Sequence, residues 1–409
     1  MFIILLKLAW KNIFRNKRRT FIASIAIGIG LAALIFLDAL MIGMSDILAR
    51  TATESFLGDA QIHFKEYRDT QDVSMTIQDV DKVTSMLAKE KIVHNFSRRT
   101  YSTAMIMSSA NTSAINLVGV NPPKEKHISQ IDDRIIEGEF FTEESPHDIV
   151  IGSKLSETLE VDLGDKVVVT VAQSGSGDFF EDWFRISGIF YFADEGMNGG
   201  MAFVRLHKAQ EMLALKNNVH EIAIKFTSAT YGQNPDLEFW DTYSEYDNEV
   251  LSWTDILPEL QSMFDMFEYS KYIVGVLLFV VVVFGIINTL FMSLYERMFE
   301  FGVLRAVGTR PFGMARLILF EAGSLAIVSI ILGGILGFVL TTIFSQVGIN
   351  YTGIEMMGVT LQESIYPVLT LEQYTFFPIS LFIFTIIAGL YPAWHVAKMS
   401  PVEAMRRSF

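Results

Sequence analysis

The stretch Ile273–Phe291 reads IVGVLLFVVVVFGIINTLF and carries no charged residue. A helix needs about 20 apolar residues to cross roughly 30 Å of hydrocarbon, and a surface helix of a soluble protein would show a polar stripe along such a length. This stretch shows none, so its solvent is lipid. Extended to its natural limits, Tyr272–Leu294, it has three companions of similar character: Phe21–Met44, Leu317–Phe344 and Phe376–Trp394. The whole composition agrees, with 51% hydrophobic and 19% charged residues over 409 positions and a mean hydropathy of +0.35, too apolar for a soluble protein of this size. The expected fold class is membrane α-helical, four transmembrane helices with one large α+β extracytoplasmic domain.

Two of the spans contain an acid, Asp38 in the first and Glu321 near the start of the third. A charge in hydrocarbon costs at least ~2.5 kcal/mol, so both are expected to face protein or the membrane edge. Basic residues set the orientation. Lys7, Lys11, Arg15, Lys17, Arg18 and Arg19 precede the first span; Arg297, Arg305, Arg310 and Arg316 lie between the second and third; Lys398, Arg406 and Arg407 follow the fourth. The segment from Ser345 to Thr375 has three glutamates and no Lys or Arg. These biases predict cytoplasmic segments at 1–20, 295–316 and 395–409, an outer loop at 345–375, and an extracytoplasmic domain at 45–271. That domain holds 38 acidic against 19 basic residues within a net charge of −14, which opposes nucleic-acid binding and keeps an exposed domain soluble.

Within 45–271, alternation and turn residues predict strands at Ala60–Phe64, Ser102–Ser108, Ala114–Val120, Asp148–Ile151, Lys166–Ala172, Trp183–Phe192 and His220–Phe226, with a helix over Asp79–Lys89. Gln173–Gly177 and Asp194–Gly200 read as exposed loops. Leu260, Met263, Phe264 and Phe267 recur at helical spacing among polar residues, so the second span extends outward as a stalk. Met44, Ile47 and Leu48 suggest the same of the first. Such a stalk is either ordinary helix packing or one wall of an adaptable apolar cavity, for which the candidates are Leu40, Met41, Met44, Met263, Phe264 and Phe267.

No residue pattern carries catalysis. No Gly-Lys pair exists for a phosphate-binding loop, the seven histidines lack metal-ligand spacing, and cysteine is absent. The informative segment is Tyr295–Leu317, where Phe299, Phe301, Val303, Leu304 and Val307 alternate with Glu300, Arg305 and Arg310. It predicts a short amphipathic helix ended by Gly308, which lies on the membrane surface or inserts into a groove of a cytosolic partner. Ile3–Arg19, with Trp10, Ile13 and Phe14 opposite basic residues, suits a helix at an anionic leaflet.

Three motifs now share one side of a one-plus-three span layout: Leu8-Ala9-Trp10-Lys11-Asn12 with Arg15, Arg19 and Thr20; Glu300-x-Gly302-x-x-Arg305-Ala306-x-Gly308; and Pro392-Ala393 through Ala397 to Pro401-Val402-Glu403-Ala404-Met405-Arg406. Together they resemble the FtsX-like permease family, which contains the LolC/LolE lipoprotein-releasing permeases, MacB and FtsX. The runs Gly119–Pro122, Ile136–Gly138, Ile149–Gly152 and Gly164-Asp165 look like the LolC/LolE outer domain. The resemblance implies a type VII ABC permease of the bacterial inner membrane with a periplasmic domain. It implies no cofactor on this chain, ATP and magnesium on a separate ATPase dimer, and a second permease subunit, identical or paralogous. Phe299, Glu300, Gly302, Val303, Leu304, Arg305, Ala306 and Gly308 would form the coupling helix docked on the ATPase. Lipoprotein cargo handed to a periplasmic carrier is the leading function it implies. MacB-like extrusion through an adaptor and outer-membrane duct, and FtsX-like signalling to a cell-wall hydrolase, are the alternatives.

The absence of cysteine makes the orientation directly testable. Ser174→Cys is expected to react with an impermeant maleimide on intact spheroplasts, and Thr309→Cys only after permeabilisation; the reverse pattern would invert the topology.

Overall fold

The computed structural model describes residues 2–13, 15, 17–141, 145–192, 195–351, 355–356, 359–360 and 364–399. Phe14, Asp194 and the C-terminal motif positions Pro401–Arg406 lie outside them. The chain divides into two compact units: one made of Met1–Asp46, Phe264–Asn350 and Ser364–Phe409, the other of Ile47–Met263 and Tyr351–Glu363.

In chain order the elements open with α1 (Phe2–Ile13), α2 (Lys17–Ala52), β1 (Ala60–Phe64), α3 (Tyr67–Thr70), α4 (Val80–Leu87), β2 (Val93–Met107), β3 (Thr112–Val120) and α5 (Pro122–Glu125). There follow β4 (Ile135–Gly138), β5 (Asp148–Gly152), α6 (Ser153–Leu159), β6 (Lys166–Ala172), β7 (Phe179–Phe190), α7 (Glu195–Gly200), β8 (Met201–Arg205), α8 (Leu206–Met212) and β9 (Glu221–Phe226). The last are α9 (Glu238–Tyr243), β10 (Asn248–Ser252), α10 (Trp253–Ile256), α11 (Pro258–Glu296), α12 (Met298–Ala306), α13 (Pro311–Val347), β11 (Glu355–Met356), β12 (Val359–Thr360) and α14 (Gln373–Lys398).

The first unit is helical. Four helices, starting at Lys17, Pro258, Pro311 and Gln373, are long and apolar enough to cross a membrane, and each contains one of the four apolar runs while exceeding it at both ends. Local chemistry sets the limits. Pro311 sits at the first position of α13, where its missing N–H is no loss, and Gly348 ends that helix at φ 73°. The helices meet through small residues: a Cβ on Gly28 of α2 would lie 3.0 Å from the backbone nitrogen of Gly333 on α13, and one on Gly337 would lie 3.2 Å from Ile35. In lipid, with no hydrophobic drive between helices, such backbone approach is a main source of packing energy. Ile27, Leu31, Leu34, Phe279, Ile286, Leu325 and Leu381 fill the space around that crossing.

The second unit is built on one ten-stranded sheet of order β10-β1-β9-β2-β3-β8-β5-β7-β4, with β6 pairing both β2 and β7. The ladder β2-β3-β8-β5-β7-β6 therefore returns to β2 and closes, which removes edge strands. Alternating burial along β6 (Val167, Val169 and Val171 inward) and along the end of β2 (Ala104, Ile106) supplies one core, completed by Leu155 and Leu159 of α6 and Met212 of α8. The open wing β10-β1-β9 has a separate core with Ile62, Ile222, Ile224, Phe226 and Phe239, covered by Val80, Val83 and Leu87 of α4.

The segments expected as strands and the helix over 79–89 occur as β1, β2, β3, β5, β6, β7, β9 and α4, with shifted ends. β4, β8 and β10 are additional. The loop Gln173–Gly177 is a hairpin tip closed by the Gln173 N–H donating to the Asp178 carbonyl at 2.8 Å. The other expected loop differs: Glu195–Gly200 is a short helix, and Asn198 is buried, its side chain bonding both the N–H and the carbonyl of Phe192 at 2.8 and 2.7 Å. Asparagine in a glycine-rich stretch reads as a turn, but here its amide replaces ladder bonds at the end of β7.

The crossing at Gly28 yields a prediction. Gly28→Leu should push α2 off α13, lowering both the yield of folded protein and its unfolding midpoint in detergent by several degrees, whereas Gly285→Leu, with open space at its Cβ, should leave both near wild type.

Candidate functional site

α12 ends at Ala306, with Val307 as its cap and Gly308 beyond it at φ 101°, a conformation that stops the helix. The amphipathic pattern sorts its side chains. Met298 and Phe301 pack inward with Ala9 of α1, Leu294 of α11, Met314, Leu317 and Ile318 of α13, and Ala393 and Val396 of α14. Phe299, Val303, Leu304 and Val307 face outward at 51, 40, 39 and 83% exposure. An apolar row that remains exposed beside a packed one suits either a membrane surface or a groove on a partner. Of the eight positions expected to couple, Gly302 is buried, Ala306 and Gly308 are exposed, and Arg305 is half-buried with its Nε making no hydrogen bond.

Glu300 is differently engaged from what the motif alone suggests. It accepts from Arg15 Nη1 at 2.9 Å and from Arg297 Nε at 2.9 Å. Partial burial pushes its carboxyl up, but those two guanidinium bonds outweigh it and hold the group below the ordinary range. Arg297 itself reaches inward: its Nη1 donates to Glu321 Oε1 at 2.6 Å, and Asn12 Nδ2 donates to the same oxygen at 2.7 Å. Burial opposes the charge on Arg297, yet Glu321 and Glu300 together hold its proton more tightly than usual. Arg19 bonds Glu296 at 3.1 Å and the Thr289 carbonyl of α11. Asn12, Arg15, Arg19, Glu296, Arg297 and Glu321 all line one small cavity of about 60 Å³.

The sequence thus presents as separate motifs what the fold makes one cluster. The opening motif supplies Asn12, Arg15 and Arg19, and the loop motif supplies Glu300. Arg297 and Glu321 join them without belonging to either; the one available signal for Glu321 was the cost of an acid in an apolar helix. Asp38 has the same explanation elsewhere in the helical unit, accepting from Gln373 Nε2 of α14 at 3.0 Å and pairing with Lys271 of α11 at 3.4 Å. Both acids are buried and partnered within the protein.

The apolar candidates are less concentrated. Leu40, Met41 and Met44 on α2 and Phe264 and Phe267 on α11 are half-buried in the helical unit, the two rings 6.5 Å apart, while Met263 is buried and falls in the other unit.

A charge balance so enclosed predicts an asymmetry. Glu321→Gln leaves Arg297 buried beside a neutral amide and should destabilise the protein by about 3–5 kcal/mol, whereas Arg297→Met with Glu321→Leu should recover most of that loss. Equal stability of the single and double variants, measured by detergent unfolding, would remove the pair from any organising role.

Comparison with known proteins places these features. Residues 272–401 match the FtsX-like permease C-terminal family model and residues 20–233 the MacB-like periplasmic core domain. The lipoprotein-releasing system transmembrane protein LolC of Xylella fastidiosa is 23% identical over 305 residues, 70% of this chain and 72% of that one. The LolC of Neisseria meningitidis is 21% identical over 412 residues, 96% and 95% of the two chains. Among solved structures, the periplasmic region of MacB from Actinobacillus actinomycetemcomitans aligns over 52% of this chain and 95% of its own with 12% identity and a TM-score of 0.36. With the MacB-like core covering more than half of its length and the FtsX-like segment covering α11 to α14, the chain belongs to the FtsX-like ABC permease family and carries that family's MacB-like periplasmic core domain.

Proposed function

We propose that this chain is the permease subunit of a lipoprotein-releasing machine driven by a separate ATPase dimer, with α12 as the coupling helix. The observation that carries the coupling role is the exposed row Phe299, Val303, Leu304 and Val307 on a helix whose opposite side is packed into the bundle. A motor gripping that row moves a helix that is fixed to α1 and α13 by side-chain packing and by Glu300 and Arg297. In this reading both termini and α12 are cytoplasmic, as the distribution of Lys and Arg suggests, and a second permease copy or paralogue completes the complex.

The cargo assignment draws on the names of the LolC relatives and on an energetic need. Each buried CH₂ of an acyl chain holds a lipoprotein in the membrane by ~0.8 kcal/mol, so a multiply acylated protein does not leave unaided. Leu40, Met41, Met44, Met263, Phe264 and Phe267 are the residues we propose for acyl contact. The cargo then passes to a periplasmic carrier, for which the hairpin tip at Gln173–Gly177, followed by Phe179 at 80% exposure, is the candidate capture point.

The test uses the permease–ATPase complex in proteoliposomes loaded with a triacylated lipoprotein. Val307→Asp changes a side chain that touches little of its own chain, and Arg305→Glu reverses the half-buried charge. A charge placed at an interface anchor costs about 2 kcal/mol, roughly thirtyfold in docking. Both variants should insert normally yet lose lipoprotein release and its ATP dependence together. Normal release by both would exclude α12 as the coupling element. Wild-type ATPase activity with no lipoprotein copurifying by mass spectrometry, and a duct adaptor or a hydrolase bound instead, would leave coupling intact and replace the cargo.

A further inference from the structure

The two buried acids of the helical unit are held in different ways. Glu321 takes both of its partners, Arg297 and Asn12, from other elements, and losing them strands a charge inside an apolar helix. Asp38 sits in a contact of another kind. Between α13 and α14 the chain runs as an irregular strap, residues 364–372, that crosses α2. One end is fixed just beyond α13, where Ile365 and Ile349 exchange two main-chain hydrogen bonds at 2.9 and 2.8 Å. The other end is fixed to the start of α14: the Thr370 N–H donates to Gln373 Oε1 at 3.1 Å, and Gln373 Nε2 donates to the Val368 carbonyl at 3.2 Å.

Between these anchors the strap lies on α2. The Val368 N–H donates to the Ala39 carbonyl at 2.9 Å, and a Cβ on Gly43 would run into the Tyr366 carbonyl. Gln373 Nε2 reaches Asp38 Oδ2 at 3.0 Å as well. Each polar group in this contact has a second partner on its own side. Asp38 keeps Lys271 of α11 at 3.4 Å, on a long, half-buried side chain able to follow it. Gln373 keeps the Val368 carbonyl and the Thr370 N–H. The Ala39 carbonyl belongs to a continuous helix, whose own ladder supplies the N–H four residues on. Val368 is exposed, so water replaces its acceptor.

The apolar share of the contact is small. Ile365 and Pro367 turn inward, whereas Tyr366, Val368, Leu369 and Leu371 are exposed, and Gly43 contributes no side chain. Separation of the strap from α2 therefore leaves no buried group unpaired and uncovers little apolar surface, unlike separation at Glu321.

We propose that residues 364–372 form a releasable catch on α2, closed in this structure and opened when a motor loads the helix. The catch rests on the coupling reading given above and adds to it the contact that must let go. Because both anchors of the strap lie off α2, the strap keeps its own shape when the catch opens, and the same contact closes again when the load is removed.

Hydrogen exchange tests this, measured by mass spectrometry on strap peptides from the full-length permease bound to its ATPase in lipid nanodiscs. Two states are compared, nucleotide-free and trapped with ATP and vanadate. The Val368 amide should exchange about tenfold faster or more in the trapped state, while Ile365, bonded to Ile349, stays slow. Gly43→Ala should give the fast Val368 exchange without nucleotide, and Gly285→Ala, with open space at its Cβ, should match wild type. If Gly43→Ala does not fold, Gln373→Leu replaces it: Asp38 retains Lys271, and Val368 should again exchange quickly without nucleotide. A purely structural strap would show the effect of the substitutions and none of nucleotide. Val368 equally slow in both states while the α12 amides respond to nucleotide overturns the catch and leaves coupling standing; no response at either place removes both. Val368 and Ile365 accelerating together also overturns it, since the strap would then be unfolding and not letting go of α2.

Discussion

The helical unit depends on a single electrostatic constraint, that Glu321 cannot stand alone inside an apolar helix. Its carboxylate lies in the packed part of α13, and it is tolerable only because Arg297 and Asn12 converge on the same oxygen at 2.6 and 2.7 Å. That requirement fixes the turn between α11 and α12, since Arg297 is the residue between them, and it fixes the end of α1, since Asn12 lies in its last turn. Arg297 then presents its Nε to Glu300, which calls in Arg15. One buried acid thus sets the position of the exposed helix α12 without any of α12's outward side chains taking part.

The α+β unit solves a different problem by closing its ladder. A sheet of ten strands would expose long edges, but β6 bridges β2 and β7, so the six strands that carry most of the valine and isoleucine core have no free edge among them. The remaining wing is where polar groups collect. Its strands β1 and β9 place His63 and Glu221 side by side, and the π-helical turn Thr53–Leu57 sets Phe56 against Arg99, ring centre to guanidinium carbon 3.9 Å. Ordinary β-sheet register, which puts every second side chain on one face, is sufficient to assemble that charged row.

Much of this was legible from residue order. Apolar length identified the four helices, because a bilayer leaves few alternatives for such a sequence, and the alternation in Lys166–Ala172 marked a strand with one buried face. β8 and β10 escaped because Met201–Arg205 runs directly from α7 into α8 with no turn residue of its own before the helix, and Asn248–Ser252 has only Val250 and Leu251 as apolar residues. The amphipathic pattern located α12, but the distant contacts of the cluster were not legible: Arg15 is 285 residues from Glu300 and Asn12 is 309 residues from Glu321. Contacts of that separation leave no trace in local spacing.

The restraints on α2 bear on how a displacement at α12 travels. Arg19 ties the start of α2 to α11, Gly28 meets Gly333 on α13 near its middle, and Asp38 meets Lys271 and Gln373 further along. Between these points α2 has no proline, and its 36 residues form a rod of about 54 Å. α2 is thus held at three levels by contacts of different kinds, charge at Arg19 and Asp38 and close backbone packing at Gly28 between them. In the coupling reading proposed above, a push delivered near Arg15 would act on α2 about the Gly28–Gly333 contact, with the Asp38–Lys271 pair on the far side of it.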